Sequence, residues 1–241
     1  MNKAILLSLS ITIFGYAQDF AKVGLGIVTM QQPYKGTKEK VLLLPYIEAE
    51  HKGFYIRGLE TGYEYAMDSG FTFGGFAKGR LDGYKGSDSD ELNGMQERTY
   101  ALEGGIKASF GSYDTGKVSA FASNDVSGVH NGYEFGVEYS KIFIHEKSII
   151  IPYVSLKKES KKLTDYYYGV KNSEATPQRA EYSPKGAVNT EIGVRYIYKV
   201  SSNIDFNSGV SYVKLDEEIY KSPIVKDKER LKLFVACGYK F

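Results

Sequence analysis

Tryptophan is absent from this chain of 241 residues, cysteine occurs once, histidine three times and proline six times. A lone cysteine, Cys237, excludes an internal disulfide framework, and no Cys/His set has zinc-site spacing. An excess of charge of one sign is missing as well. The 31 basic and 29 acidic residues leave a net charge of +2, which excludes the polybasic footprint of a nucleic-acid binder. Beyond the N-terminus, no apolar run approaches the ~20 residues of a membrane-spanning helix.

The N-terminus itself has the marks of a secretory signal. Met1-Asn-Lys3 is positive, Ala4 to Phe14 is apolar but short, and Gly15-Tyr-Ala17 places small residues before a cut ahead of Gln18. The expectation is a cleaved segment 1–17, followed by a single domain over 18–241.

What is abundant is Tyr (21), Phe (13) and Gly (26), a composition that favours strands. Period two recurs throughout. Ile192, Val194, Tyr196, Tyr198 and Val200 share one face, opposite Glu191, Gly193, Arg195 and Lys199. Tyr133, Phe135, Val137 and Tyr139 oppose Glu134, Gly136, Glu138 and Ser140, and 99–110 alternates likewise. Similar segments cover 20–31, 40–50, 54–65, 70–82, 117–125, 149–158, 204–214 and 229–241, with no helical period of comparable length. Short polar turns such as His51-Lys-Gly53, Met67-Asp-Ser-Gly70 and Ser201-Ser-Asn203 separate them, as in an antiparallel meander. Three longer insertions interrupt it, at 83–97, 159–187 and 215–228.

Alternation does not say whether the apolar face looks inward, as in a soluble sandwich or lipocalin-like barrel, or outward to lipid. The polar faces are rich in ionisable residues, and Tyr and Phe cluster near strand ends, as a bilayer-interface girdle requires. In the last strand Leu231, Leu233, Val235, Cys237, Tyr239 and Phe241 form one apolar face ending on a terminal phenylalanine. That ending, with Tyr239 and Phe241 as its key residues, resembles the signal by which outer-membrane barrels reach the barrel assembly machinery. These features favour an all-β transmembrane barrel, antiparallel and up-and-down, over a soluble β domain. In hydrocarbon the sheet must close, and bacterial single-chain barrels use an even strand count. Eleven alternating segments therefore contain one error, at the Gly58 break in 54–65 or in 215–228. The expectation is about 10 strands, with 12 as the alternative.

If the apolar faces meet outer-membrane lipid, Glu103, Lys107, Glu134, Glu138, Glu191, Arg195, Lys199, Arg230 and Lys232 point into the lumen. Mixed signs suit either a closed salt-bridge network or the lining of a narrow pore. No catalytic constellation stands out. Asp125, Ser127 and His130 are the only local Ser/His candidate, and Asp125-Val-Ser-Gly-Val-His-Asn131 reads as turn chemistry. Asp88, Asp90 and Glu91 miss the EF-hand spacing and read as a solvated acidic loop. The expectation is no enzyme, no cofactor and no metal.

The chain resembles the MltA-interacting protein (MipA/OmpV) family of outer-membrane proteins through an ordered set of landmarks. They are Gly53-Phe-Tyr-Ile-Arg-Gly58 with Gly62-Tyr63; Asp88-Ser-Asp90 with Leu92 and Gly94-Met95; and Asp125-Val-Ser-Gly128 before Gly132. They continue with Tyr166-Tyr-Tyr-Gly-Val170, Glu174-Ala175 and Tyr182; Leu215, Ile219 and Ser222-Pro-Ile-Val225; and Tyr239-Lys-Phe241. The missing tryptophan departs from the family's habit, so a girdle here is built from Tyr and Phe. The resemblance implies an outer-membrane barrel in a Gram-negative-type envelope, with a role as a scaffold for a periplasmic murein synthase and a lytic transglycosylase. The alternative it implies is a narrow channel for small solutes or antibiotics. Tyr166, Tyr167, Tyr168, Gly169 and Val170, with Ser222 and Pro223, mark a structured loop that plugs or anchors to the barrel or else contacts a partner.

Overall fold

Along residues 20–30 every second side chain points the same way, and the same holds around the molecule, because strands place successive side chains on opposite faces. The computed structural model describes residues 19–241, so the predicted signal segment 1–17 lies outside the described residues. Among the described residues, thirteen antiparallel strands form one sheet. They are β1 (Phe20–Met30), β2 (Lys40–His51), β3 (Phe54–Arg57), β4 (Glu60–Ala66), β5 (Phe71–Arg80), β6 (Ala101–Ser112) and β7 (Gly116–Asp125). After them come β8 (Tyr133–Ser140), β9 (Phe143–His145), β10 (Ser148–Glu159), β11 (Ala187–Lys199), β12 (Ile204–Lys214) and β13 (Glu229–Lys240). Two helices interrupt the meander, α1 (Lys161–Tyr168) and α2 (Glu217–Tyr220).

β1 pairs with both β2 and β13, so the sheet closes on itself. The three-residue β9 pairs only with β10, where it continues the line of β8, and the remaining twelve strands make the ring. The expected count of about ten is thereby corrected to the alternative, twelve. The missing strand is at Gly58. With φ 62° and Leu59 beside it, Gly58 turns 54–65 back on itself as the β3–β4 hairpin, pairing Arg57 with Glu60. The outward set shifts there from Phe54 and Ile56 to Tyr63 and Tyr65. That change of phase is the mark of two strands.

The polarity of the wall is inverted relative to a soluble protein. Leu25 and Ile106 are 65% and 69% exposed, whereas Glu103 on the inner face is 1% exposed. Apolar side chains face out and charged ones face in, as in a membrane barrel. Outward Phe54, Phe71, Phe110, Tyr139, Tyr198 and Tyr239 ring the strand ends at one rim.

That rim carries the short connections 52–53, 67–70, 113–115, 146–147 and 200–203, together with both ends of the described chain. The opposite rim carries every long segment: 31–39, 81–100, 126–132, 160–186 and 215–228. There the segments build the buried apolar cluster of the molecule, from Tyr34, Tyr84, Leu92 and Met95 through Leu163, Tyr167 and Tyr168 to Ile219 and Ile224. The segment 215–228 is therefore cap, not strand.

Candidate functional site

Two adjoining regions gather the polar chemistry, the cap and the lumen beneath it. In the cap, the tyrosine run lies on α1. Ser160 caps the helix, and Leu163, Thr164, Tyr167 and Tyr168 form its buried face at the helical spacing i, i+1, i+4, i+5. Tyr168 stacks on Tyr34 at 5.9 Å between centroids, and Tyr34 meets Tyr84 edge-on at 4.5 Å. Tyr167 Oη donates to Thr99 O (3.1 Å), Tyr166 Oη accepts from Thr99 N (3.0 Å), and Ser222 Oγ donates to Tyr168 O (2.6 Å), while the buried Tyr84 Oη has no hydrogen-bond partner among the described residues. Val170 is 1% exposed and pairs with Tyr182 in an isolated bridge; Gly169 ends α1 in extended backbone. Pro223 lies between buried Ser222 and Ile224. The expected loop thus folds into the cap, and the short helix within it is a feature that period-two reasoning missed.

Two buried arginines stitch separate cap segments together. Arg98 donates to both oxygens of Glu174 at 2.9 Å and to Tyr166 O at 2.6 Å. Arg179 donates to Glu91 O, Asn93 O and Glu174 O at 2.7, 3.0 and 2.8 Å. Burial alone raises the Glu174 carboxyl. The backbone N–H groups of Lys171 and Gln96 and the Arg98 charge outweigh it and hold the group below the usual carboxylate range. Asp82, just above the end of β5, is likewise raised by burial and pulled well down overall by Arg230 and Arg80.

In the lumen, all nine charges expected to point inward share the inward parity, and partners from other strands meet most of them. Arg80 sits between Glu103 and Glu134, 2.6 Å from each, with Lys78 at 2.9 Å from Glu134 and 3.2 Å from Glu103. Lys157 reaches Glu191 at 2.9 Å, with Lys232 at 3.7 Å. Arg230 holds Asp82 at 3.1 Å, Lys107 bridges Glu60 and Glu64 at 2.8 and 2.7 Å, and Arg195 pairs with Glu138 at 2.5 Å. Lys199 stands opposite Asp205 in the register of β11 and β12. Sequence reading missed Lys22, Arg57, Lys78, Arg80 and Lys157. The signal was available, since each falls on the polar phase of its own strand.

Two chambers remain between these pairs. The upper one, about 280 Å³, is lined by Arg80, Lys232 and Tyr168 among others, so the cap forms its roof. The lower one, about 310 Å³, is lined by Arg57, Lys107 and Arg195 among others, and Lys157 lines both.

The turn at the Asp125 end of β7 is not arranged as a catalytic triad. Asp125 accepts from the backbone N–H of Ser127, Gly128, His130 and Asn131, at 2.8, 3.1, 2.6 and 2.8 Å, and from Ser127 Oγ at 2.6 Å. His130 instead accepts from Gly132 N at 3.0 Å and places Nε2 3.5 Å from Glu103. Among the described residues, no group of three or more His, Cys, Asp or Glu could hold a metal ion. Tyr239 and Phe241 face outward at the short-turn rim, 48% and 78% exposed, with rings 5.2 Å apart. Cys237 is exposed on the same strand.

The sequence is similar to those of known proteins. The family model described as MltA-interacting protein MipA matches residues 23–241. The MltA-interacting protein of Escherichia coli K12 is 22% identical over 250 residues, covering 100% of both chains. Outer membrane protein OmpV of Vibrio cholerae is 27% identical over 158 residues, 66% of this chain and 61% of the relative, so the match spans about three-fifths of OmpV's length. Among solved structures, the COG4313 outer membrane channel of Pseudomonas putida F1 aligns with a TM-score of 0.45 at 7% identity, over 97% of this chain and 99% of that one. With relatives named as outer membrane proteins and a closed barrel that is apolar outside, the chain is an outer-membrane protein. It belongs to the MltA-interacting protein MipA family.

Proposed function

We propose that this barrel is a sealed, non-enzymatic anchor for envelope machinery and not an open pore. The observation that carries the proposal is the set of paired lumen charges beneath a packed cap. Arg80, Lys78, Glu103 and Glu134 bridge β5, β6 and β8 inside the wall, and the cap packs Tyr168 over the chamber above them. The cost of leaving any of these charges unpaired in a partly dry lumen favours the closed arrangement.

A murein synthase and a lytic transglycosylase are the proposed partners; the name of the E. coli relative, MltA-interacting protein, supports a murein-related partner. In outer-membrane barrels short turns face the periplasm and long loops face outward. All long segments here sit at one rim and bury their aromatic residues within the cap. The surface left for periplasmic partners is the short-turn rim, with exposed Lys52, Asp68, Asp114, Glu146 and Lys147.

The test is capture of periplasmic murein enzymes by the solubilised full chain. Lys52→Glu with Lys147→Glu at the turn rim reduces capture, while Lys162→Glu with Glu181→Lys on the cap surface leaves it unchanged. The reverse pattern overturns the assignment of the surface. A second reading, a gated narrow channel for small solutes, is favoured by the two chambers that meet at Lys157.

A further inference from the structure

The wall is complete in its short-turn half and interrupted in its long-loop half. β3 and β4 are four and seven residues long, between a β2 of twelve and a β5 of ten, so their joining turn Gly58-Leu59 stops part-way up the wall. The turn is pinned from both sides: Gly58 N donates to Ile47 O at 2.9 Å, and Gly79 N donates to Leu59 O at 3.0 Å. With two strands filling the sill, β2 and β5 stand about three strand spacings apart there, roughly 14 Å.

Above the sill the second edge of β2 has no partner strand among the described residues. β2 pairs with β1 as far as Lys40, but its pairing with β3 ends at Glu48. Because Ile47 offers its carbonyl to the hairpin side, ladder alternation turns the peptide groups of Val41, Leu43 and Pro45 to the open edge. Pro45 lacks an N–H and so removes one donor from that edge. Lys40 closes the top, donating from Nζ to Leu81 O at 3.2 Å and lying 4.3 Å from the Tyr100 ring centroid.

Behind this window the inner wall is apolar, as it also is at Phe76, Phe121, Ile149 and Ile151 on other strands. Leu42 and Leu44 share the inward parity of Tyr46 and Glu48. Leu42 lies beside Val28, and Val28 beside Phe234, in the registers of β2, β1 and β13. Gly26 stands beside Leu44, with the Phe234 ring and Ala236 packed over it, so the strip is continuous with Phe234. The strip leads by Met30 into the upper chamber, where Lys232 is held more loosely than its neighbours. Its nearest acid, Glu191, lies 3.7 Å away and already receives Lys157 at 2.9 Å and Tyr153 at 3.1 Å.

We propose that the window is a lateral portal from the bilayer into the upper chamber, and that it binds a single-chain amphipath with an anionic head. The acyl chain lies along Leu42 and Leu44, and the head meets Lys232. Unpaired peptide groups are strongly disfavoured in hydrocarbon, where no water can satisfy them. The open edge of β2 is therefore wetted from the lumen, which puts polar edge and apolar strip side by side as an amphipath requires. The portal is independent of whether the lumen conducts.

Because the chain has no tryptophan, a single one reports its surroundings without background. The full chain carrying Leu44→Trp is refolded into vesicles of phosphatidylcholine with brominated acyl chains, and folding is checked by heat-modifiable migration. The portal predicts quenching of Leu44→Trp comparable with that of the outward neighbour Leu43→Trp. Phe121→Trp, inward on another part of the wall, is quenched little. Quenching of Leu44→Trp no greater than that of Phe121→Trp overturns the portal, and Leu42→Trp serves if Leu44→Trp does not fold. Energy transfer from the same tryptophan to dansyl-aminoundecanoate then reads binding of the anionic head. Lys232→Gln weakens the acid roughly tenfold and leaves the methyl ester unchanged. Equal effects on acid and ester, or none on either, overturn the head assignment.

Discussion

Arg98 and Glu174 meet through two hydrogen bonds of 2.9 Å in the interior of the cap, although 76 residues separate them in sequence. Both side chains are almost inaccessible, at 3% and 2% exposure. The pair ties the segment that leaves β5 to the segment that leaves α1. Removing one partner strands the other charge, which costs about 3–5 kcal/mol in buried pairs. Arg98→Ala therefore loosens the cap without opening the barrel wall. Limited proteolysis checks this: cleavage within 81–100 and 160–186 accelerates, while heat-modifiable migration of the barrel is retained.

Acid acts on the same tie. The Glu174 carboxyl is held below its ordinary value in the folded cap, so its contribution is fully present above the unfolded value of about 4.3 and is lost as pH falls through the lower folded value. Protease sensitivity of the cap is expected to rise as pH falls below about 4. Glu174→Gln, which carries no titrating group, lacks that rise, and its cap is already sensitive at neutral pH.

Leu163 is 1% exposed on the buried face of α1, against the tyrosine cluster. Leu163→Ala removes apolar volume that the closely packed rings cannot refill and destabilises the cap by about 2–5 kcal/mol. Hydrogen exchange of the α1 amides reports the loss, and exchange in β10 and β11 stays as in the parent chain.

Arg80 holds Glu103 and Glu134 apart electrically as well as joining them. Arg80→Ala leaves two carboxylates facing each other in the lumen with only Lys78 between them. The barrel then unfolds at a lower temperature, and a thermal melt against the parent chain measures the loss.

Much of this molecule is written locally. Period two places the strands, and parity alone sends Glu103, Glu134, Glu191 and the other lumen charges inward. Strand count is less legible. Gly58 and Leu59 reverse the chain within a run that stays aromatic on both sides, so two strands read as one unless the change of phase from Ile56 to Tyr63 is noticed. Which charge meets which is not local at all. Lys78 and Glu134 are 56 residues apart, and their contact follows from registers that only the closed ring fixes. The helix α1 is hidden for a different reason. Eight residues give two turns, too short for a 3.6-residue period to stand out, and its adjacent tyrosines distribute over a buried face only once the helix is formed. The window above Gly58 is legible only in part: Pro45 marks β2 as an edge strand, but the hairpin that ends below it is seen only in the fold.

The sealed lumen is tested most directly by single-channel recording of the full chain in planar bilayers. The cap and the cross-lumen pairs predict silent insertion at low applied voltage, with discrete conductance appearing only when both closures are removed, as in Arg98→Ala combined with Arg80→Ala. A stable open conductance in the parent chain, present at low voltage and unchanged by those substitutions, would contradict a sealed barrel.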